Sequence, residues 1–488
     1  MDDAWPPPSK DDLPYDDDRA PNYRRRRAMV AVVGVVAVAM LGAGMYLVFG
    51  RDGDGTGDGD DAVDSWDVVV VQQPGGTVTV HDRSGDEIAS AETDLIGVID
   101  VGLPGTVVLG LDGSPAEDGL GLLDLDDASI ARLDVSFDEV RRLGHSSLLL
   151  ASDATGSGLE LVITADGRTL DLADLADGDN PLVDPASARV DDAGTYVAFN
   201  ELRNSETVVV DVAEGTGASL PGSLVDLAFD RALTITNRGD TVLLDLSEAA
   251  GERVGTVETA PVRAVMLVDA TTALMVTADG VVSTVDFEEE TVDEVTQLAP
   301  LLPVPPGSDP VVDTDIVDGG LALGDRTRMA LFGERFVAFV DATGVLVRSV
   351  DVPTRQLPFL DPTGAHRCVS VGQADGPYTL FDSTTGVIVT AFGEGVLLGD
   401  SDDGCRVAFA PSGSGDDVVA GLDVDRRTDD PVLALSNDGS AVVQAGGRST
   451  TWIDLAPASG DGDTTADDAN EPVELLARRV VSAAFARR

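Results

Sequence analysis

Positive charge is scarce in this sequence. It contains one lysine, Lys10, and 32 basic residues in all against 87 acidic ones, which gives a formal net charge of −55. A surface this negative repels the phosphates of nucleic acids and of anionic lipids, so no nucleic-acid partner is expected. It favours cations, basic proteins or a salty medium that screens its self-repulsion. We interpret the charge as that of an acidic exported protein, with a dedicated cation-binding surface as the alternative.

Residues that build catalytic and metal sites are also few. His81, His145 and His366 lie far apart, and none has a second histidine or cysteine at metal-ligand spacing, so no zinc site is expected. No nucleophile elbow, phosphate-binding loop or dinucleotide fingerprint occurs in a strand-to-helix context. We therefore assign no catalytic, cofactor-binding or metal-binding residue. Any two of the 87 acidic side chains could still converge as a glycosidase-type pair.

Only two cysteines are present, Cys368 and Cys405. Each begins a candidate strand just after a glycine-containing turn, in consecutive repeats of the pattern described below. An even count suits a disulfide if this part of the chain lies outside the cytoplasm, where disulfides persist. A Cys368–Cys405 disulfide is the favoured interpretation, and two buried thiols are the alternative.

One long apolar run stands out near the N-terminus. Residues 28–49 carry no charge and as a helix would be about 33 Å long, enough to cross a bilayer. Arg24, Arg25, Arg26 and Arg27 precede the run, whereas aspartates dominate after Arg51. The positive-inside rule then predicts a single-pass protein of the cell membrane with a cytoplasmic N-terminus and an extracytoplasmic C-terminal domain. A cleaved signal peptide is the competing interpretation.

The segments on either side of this helix are poor in apolar residues. Residues 1–27 contain prolines and acidic pairs with almost nothing to bury, which predicts a disordered cytoplasmic tail. Residues 50–64 alternate Asp and Gly, and no frame places a glutamate at the twelfth position of a calcium loop, so we expect an acidic linker. Residues 65–488 remain for the extracytoplasmic domain, with a disordered insert at 458–471.

Within 65–488 a pattern recurs in which an apolar run ends in Asp and is followed by a polar turn and a second apolar run. Asp at the start of such a turn accepts hydrogen bonds from the backbone amides that follow it. We call these residues the marker aspartates and expect them to be structural, with a cation such as Ca²⁺ as the alternative. The clear members are Asp82, Asp124, Asp211, Asp245, Asp286, Asp341, Asp382 and Asp454, and weaker ones are Asp166 and Asp423.

The usual spacing of about 40 residues fits a four-stranded propeller blade. The segment 380–392, LFDSTTGVIVTAF, and Trp452-Ile-Asp454 resemble the repeats of WD40-like and quinoprotein-like β-propellers. The resemblance implies an all-β toroidal fold, and it implies no particular activity. Few tryptophans and no adjacent cysteine pair are present, so no quinone cofactor is expected.

Counting every marker gives about ten blades, whereas insertions would reduce the number toward seven or eight. The proline-rich segment 298–310 could divide two smaller rings, but we favour one. Val480–Phe485 can supply the inner strand that the first blade, near Trp66, lacks, and this would close the ring. An amphipathic helix is the alternative for the C-terminal stretch, because Val473, Leu476, Val480, Ala484 and Phe485 fall on one helical face.

These features predict a membrane-anchored extracytoplasmic propeller that acts as a binding or scaffold module of the cell envelope. The expected partner is another envelope protein or a glycan. Two other functions stay open. The ring could process an envelope glycan, or it could be a receptor that signals to a cytoplasmic partner through residues 1–27.

Overall fold

A computed structural model describes residues 66–488 with internal gaps, the longest at 111–118, 153–158, 176–182, 302–315, 359–366 and 456–471. The predicted tail, transmembrane helix and linker lie outside the described residues, and so does the insert at 458–471. No helix in the described part of the chain is long and apolar enough to span a membrane. The helices described are one turn each: α1 (Leu172–Leu175) and 3-10 turns at Pro185–Ser187 and Ala299–Leu301.

The described strands form ten antiparallel sheets of four strands each, which we call blades 1 to 10 in chain order. Blade 1 contains β1 (Val68–Gln72), β2 (Thr77–Asp82) and β3 (Glu87–Glu92). Blade 2 contains β4 (Val98–Asp100), β5 (Thr106–Leu109), β6 (Leu120–Asp124) and β7 (Ile130–Leu133). Blade 3 contains β8 (Glu139–Arg142), β9 (Leu148–Ser152), β10 (Leu159–Ile163) and β11 (Arg168–Asp171).

The next four blades follow the same order. Blade 4 contains β12 (Arg189–Val190), β13 (Tyr196–Asn200), β14 (Glu206–Asp211) and β15 (Thr216–Pro221). Blade 5 contains β16 (Ser223–Ala228), β17 (Arg231–Ile235), β18 (Asp240–Asp245) and β19 (Glu252–Glu258). Blade 6 contains β20 (Val262–Leu267), β21 (Thr272–Thr277), β22 (Val281–Asp286) and β23 (Thr291–Gln297). Blade 7 contains β24 (Gly319–Ala322), β25 (Arg328–Phe332), β26 (Phe336–Asp341) and β27 (Leu346–Asp351).

The last three blades complete the ring. Blade 8 contains β28 (Leu357–Pro358), β29 (Cys368–Gly372), β30 (Tyr378–Asp382) and β31 (Val387–Phe392). Blade 9 contains β32 (Gly395–Asp400), β33 (Arg406–Pro411), β34 (Asp417–Gly421) and β35 (Asp425–Thr428). Blade 10 contains β36 (Val432–Leu435), β37 (Ala441–Ala445), β38 (Thr450–Asp454) and β39 (Val473–Leu476). The C-terminal strand β40 (Ser482–Ala486) belongs to blade 1.

The predicted four-stranded repeat is confirmed, and the blade count is the ten that the markers give. We call the strands of a blade A to D from the ring axis outward. Strands B and C carry apolar side chains on both faces because each blade is covered by a neighbour on either side; in β26, for example, five of six residues are buried. Strand D is the most exposed, as in β23, where five of seven residues are exposed.

The apolar core is divided into ten clusters, one between each pair of neighbouring blades. One of these clusters joins blade 10 to blade 1 through Val443 and Phe485. The blades therefore form one closed ring, and no division occurs at the proline-rich segment.

The ends of the domain meet within blade 1. Strand β40 pairs antiparallel with β1, with Ala484 opposite Val70, and supplies strand A of that blade. Of the two interpretations of the C-terminus, the strand is the one found, over Ser482–Ala486. It covers the inner edge of β1, which would otherwise present unpaired backbone groups.

Candidate functional site

Alternating strand directions place all A–B and C–D turns on one face of the ring, which we call the turn face. Contacts between neighbouring blades agree with this placement. The Nε of Arg488, at the end of strand A of blade 1, donates to Asp126 Oδ1 in the C–D turn of blade 2 at 2.7 Å. The Arg406 guanidinium of blade 9 donates to the Gly439 carbonyl oxygen in the A–B turn of blade 10 at 2.8 Å. The turn face is therefore one continuous surface.

Eight marker aspartates end strand C of their blades: Asp82, Asp124, Asp211, Asp245, Asp286, Asp341, Asp382 and Asp454. Asp166 follows strand C of blade 3, and Asp423 lies outside the described residues. In blade 7, Oδ1 of Asp341 accepts hydrogen bonds from the backbone N–H groups of Thr343 at 2.9 Å and Val345 at 3.1 Å. Equivalent bonds fix the turns after Asp82, Asp124, Asp166, Asp211, Asp245, Asp286 and Asp382. These carboxylates hold hairpins in shape.

Arginines at the start of strand B reinforce two of these turns. Arg367 approaches Asp382 with Nη2 to Oδ2 at 3.0 Å, and Arg231 approaches Asp245 at 2.8 Å. Burial raises the pKa of Asp382, but hydrogen bonds from Arg367 and from the Thr384 backbone, with the Arg367 charge, outweigh it and lower the pKa below its usual value. Asp382 is therefore ionised at neutral pH.

A second set of acidic side chains on the turn face is exposed. It comprises Asp126, Asp127, Glu214, Glu288, Glu289 and Glu290, from blades 2, 4 and 6. They sit in turns that the marker aspartates hold, so their backbone positions are fixed while their side chains remain exposed, including that of Asp126 in its bond with Arg488. Fixed exposed carboxylates make the turn face an acidic surface that attracts cationic groups.

The described residues contain no group of three His, Cys, Asp or Glu side chains close enough to hold a metal ion. The marker aspartates stand in separate blades and do not converge. His81 is buried, with its ring nitrogens 3.0 Å from the Gly85 carbonyl oxygen and from Thr79 Oγ1. It is the only histidine that the structure describes, because His145 and His366 fall in gaps. Its contacts are those of a structural side chain.

A disulfide joins two blades late in the chain. Cys368 and Cys405 form a disulfide with Cα atoms 4.9 Å apart, and it joins strand B of blade 8 to the start of strand B of blade 9.

Trp66, which is buried, packs edge to face on Trp452 of blade 10 and on Phe485 of β40, with ring centroids 5.2 Å and 4.7 Å apart. The seam between the first and last blades is therefore an aromatic cluster.

One buried ion pair was missed by the sequence reasoning. Arg326, in the A–B turn of blade 7, donates to Asp226 of β16 in blade 5 at 2.7 Å, and both side chains are about nine-tenths buried. The same carboxylate accepts the Leu267 N–H of blade 6 at 2.7 Å. The pair thus ties three blades together. No local sequence signal could have revealed it, because the partners are 100 residues apart and neither is a marker.

Comparisons with known proteins concern the fold. No family model matches the sequence, and no curated protein matches it. Similar solved structures include the C-terminal WD40 domain of Sif2, at 14% identity and a TM-score of 0.41 over 67% of this chain and 96% of that one. BamB from Moraxella catarrhalis gives 15% identity and a TM-score of 0.36 over 63% and 93%. The computationally designed Ika8 protein gives 12% and 0.41 over 68% and 99%.

At these identities and TM-scores the comparisons carry no argument about activity or partners. The fold itself rests on the ten four-stranded sheets and their ring of shared cores. At that level the chain is similar to WD40-like and quinoprotein-like β-propellers.

Proposed function

We propose that this protein is a membrane-anchored, extracytoplasmic binding or scaffold module of the cell envelope. The observation that best supports a binding or scaffold role is the closure of the ring. Neighbouring blades share an apolar core all the way round, and β40 joins the last blade to the first. Rigid blades hold ten sets of turns in fixed relative positions. Loops held by a rigid frame are well suited to engage a large partner.

The partner that fits the turn face is a protein with a basic surface. The exposed carboxylates of this face come from several blades, and the chain has a net charge of −55, so the attraction for a cationic surface is long-ranged. A glycan without positive charge could accept no charge–charge attraction from these groups and would gain only hydrogen bonds to its hydroxyls. We therefore favour an envelope protein over a neutral glycan.

Anchoring in the membrane rests on the sequence. The uncharged run at 28–49 and the four arginines Arg24 to Arg27 support a single helix with the N-terminus in the cytoplasm. Thiol labelling tests this orientation, since both native cysteines are bonded to each other. A membrane-impermeant maleimide should label the Leu202→Cys variant in intact cells, and the Ser9→Cys variant only after permeabilisation. The reverse pattern, or cleavage that releases the ring, would overturn the proposal.

The binding function is tested by capture from native envelope with the full-length tagged protein. The variant Glu214→Lys/Glu289→Lys reverses two charges on the turn face. The matched control Glu92→Lys/Glu258→Lys makes the same charge change at the ends of D strands on the opposite face, where both residues are also exposed. We expect the turn-face variant to weaken capture of a protein partner roughly tenfold while the control does not.

Three outcomes would count against this proposal. Equal loss in both variants would mean that only net charge matters and that the turn face is not the site. Capture that is unchanged in both variants would show that the partner binds at another surface. Capture of a glycan in place of a protein would show that the partner is a glycan.

A further inference from the structure

The outer edge of blade 8 differs from the other nine outer edges that the structure describes. A strand at a sheet edge exposes unpaired backbone groups, and proteins usually protect it with charged residues, proline or a break in the strand. Nine of the described D strands contain a charged residue, or glycine with proline in the case of β15. Strand β31, with the sequence VIVTAF, contains none of these. Among the described D strands it is the one apolar edge without charge, proline or a break.

The side chains of β31 are exposed as well as its edge. Val387 is 46% exposed and Ile388 is 48% exposed, and Ala391 is also exposed. Among the described strands β31 pairs only with β30. A register shift at Leu380/Phe381 leaves one β31 residue unpaired, but similar shifts occur in blades 1, 5, 6 and 7, so this bulge does not set blade 8 apart.

Opposite charges lie at the two ends of β31. At its start, the Arg348 side chain of blade 7 packs under the turn: a Cβ on Gly386 would lie 2.6 Å from Arg348 Cβ, and Gly386 has a left-handed φ of 63°. The exposed Arg348 guanidinium is 3.5 Å from the Thr385 carbonyl oxygen. At its end, the exposed Glu394 follows the strand by two residues. The edge is therefore positive at one end, neutral in the middle and negative at the other.

We propose that β31 is a dimerisation edge that pairs antiparallel with β31 of a second copy of this chain. Antiparallel pairing about a two-fold axis brings the start of one strand to the end of the other. Arg348 of each copy then faces Glu394 of the second copy, and the two neutral apolar centres meet. The two blades become one eight-stranded sheet.

The shape of the ring favours this occupant. A propeller rim is convex, so two rings touch side by side over little more than one blade each, and one strand pair is the contact that this geometry allows. An isologous contact needs a patch that is complementary to itself, and β31 with its two end charges has that property. Strand addition supplies affinity through backbone hydrogen bonds, and the charges set direction and register.

Cross-linking tests the register in full-length protein, in membranes of cells that express two differently tagged copies. In the proposed pairing Ile388 lies opposite Ala391 of the second copy, within disulfide range. A chain with Ile388→Cys should therefore cross-link to a chain with Ala391→Cys at least tenfold more than either does to itself. The matched control is Leu202→Cys, which is 59% exposed on blade 4.

A second variant separates loss of pairing from loss of folding. Ile388→Lys adds the charge that the edge lacks and should abolish dimers, whereas Val292→Lys makes the same change on β23 of blade 6 and should not. Exchange of charges in Arg348→Glu/Glu394→Arg should keep the dimer, and either single change should weaken it. A monomer at all concentrations, cross-linking no better than that of Leu202→Cys, or equal cross-linking of every cysteine pair would overturn the proposal.

Discussion

Nη1 of Arg326 lies 2.7 Å from Oδ2 of Asp226, which is 100 residues earlier in the chain and two blades away. The same guanidinium donates to the Leu227 carbonyl oxygen at 2.9 Å and lies 5.6 Å from the centre of the Phe229 ring. Arg326 also has a left-handed φ of 51°, an uncommon conformation for a residue with a side chain. The pair holds blades 5 and 7 in fixed positions on either side of blade 6.

Arg326→Met should be among the more destabilising single changes. It leaves the buried Asp226 carboxylate without its cation, and loss of one member of a buried pair lowers the free energy of unfolding by about 3–5 kcal/mol. Urea denaturation followed by tryptophan fluorescence measures this. The control is Arg168→Met, whose partner Asp166 and own side chain are nearly half exposed, with an expected loss below about 1 kcal/mol. Equal effects of the two changes would contradict the role of Arg326.

Reduction of the Cys368–Cys405 disulfide should lower stability. The bond closes a loop of 37 residues, and its restriction of the unfolded chain corresponds to about 3–4 kcal/mol. The urea midpoint should fall when a reductant is added to the unaltered protein. The variant Cys368→Ala/Cys405→Ala should start at the lower midpoint and show no response to reductant. A midpoint that does not change on reduction would show that the bond adds no stability.

Removal of residues 481–488 should open the ring. Strand β40 supplies Phe485, which is 1% exposed and packs on Trp66, and its loss uncovers the inner edge of β1. We expect aggregation or rapid proteolysis of the truncated protein, and partial rescue by an added peptide with the sequence of 480–488. Arg487→Ala in the full-length chain serves as the control. A truncated ring that stays monomeric and resists protease would contradict the closure role of β40.

The stability of the ring should depend on the pH through its marker aspartates. The pKa of Asp382 in the folded protein lies below the 3.8 of the free side chain, so its carboxylate stabilises the fold above that pH. This contribution is lost as the pH falls through the folded-state pKa. Asp382→Asn should therefore lower the Tm at pH 7, and the difference from the unaltered protein should shrink as the pH falls from 4 toward 2.

Asp417 provides a control because its pKa is shifted in the opposite direction. Burial raises its pKa in the folded protein, so its ionised form opposes folding at neutral pH although Oδ2 accepts the Val432 N–H at 2.8 Å. Asp417→Asn should leave the Tm at pH 7 unchanged or raise it, with the difference vanishing at low pH. A fall in the Tm equal to that of Asp382→Asn would refute the pKa argument for both residues.

The repeat could be predicted because its signal is local. An apolar run that ends in Asp and is followed by a glycine-containing turn specifies a hairpin within about 15 residues, as in β30 and β31 around Asp382. The C-terminal strand could be foreseen only as one of two options, because its apolar spacing fits a strand and a helical face alike.

The sequence by itself determined the blades, since hairpin pairing depends on neighbours in the chain and on turn residues such as the marker aspartates. Tertiary structure alone decided between ten blades and the smaller counts, brought Arg326 to Asp226, and placed β31 at an outer edge. Ring closure depends on the angle at which the faces of neighbouring sheets pack together. This packing angle is not encoded in any single repeat. An ion pair across two blades arises only once the ring has closed.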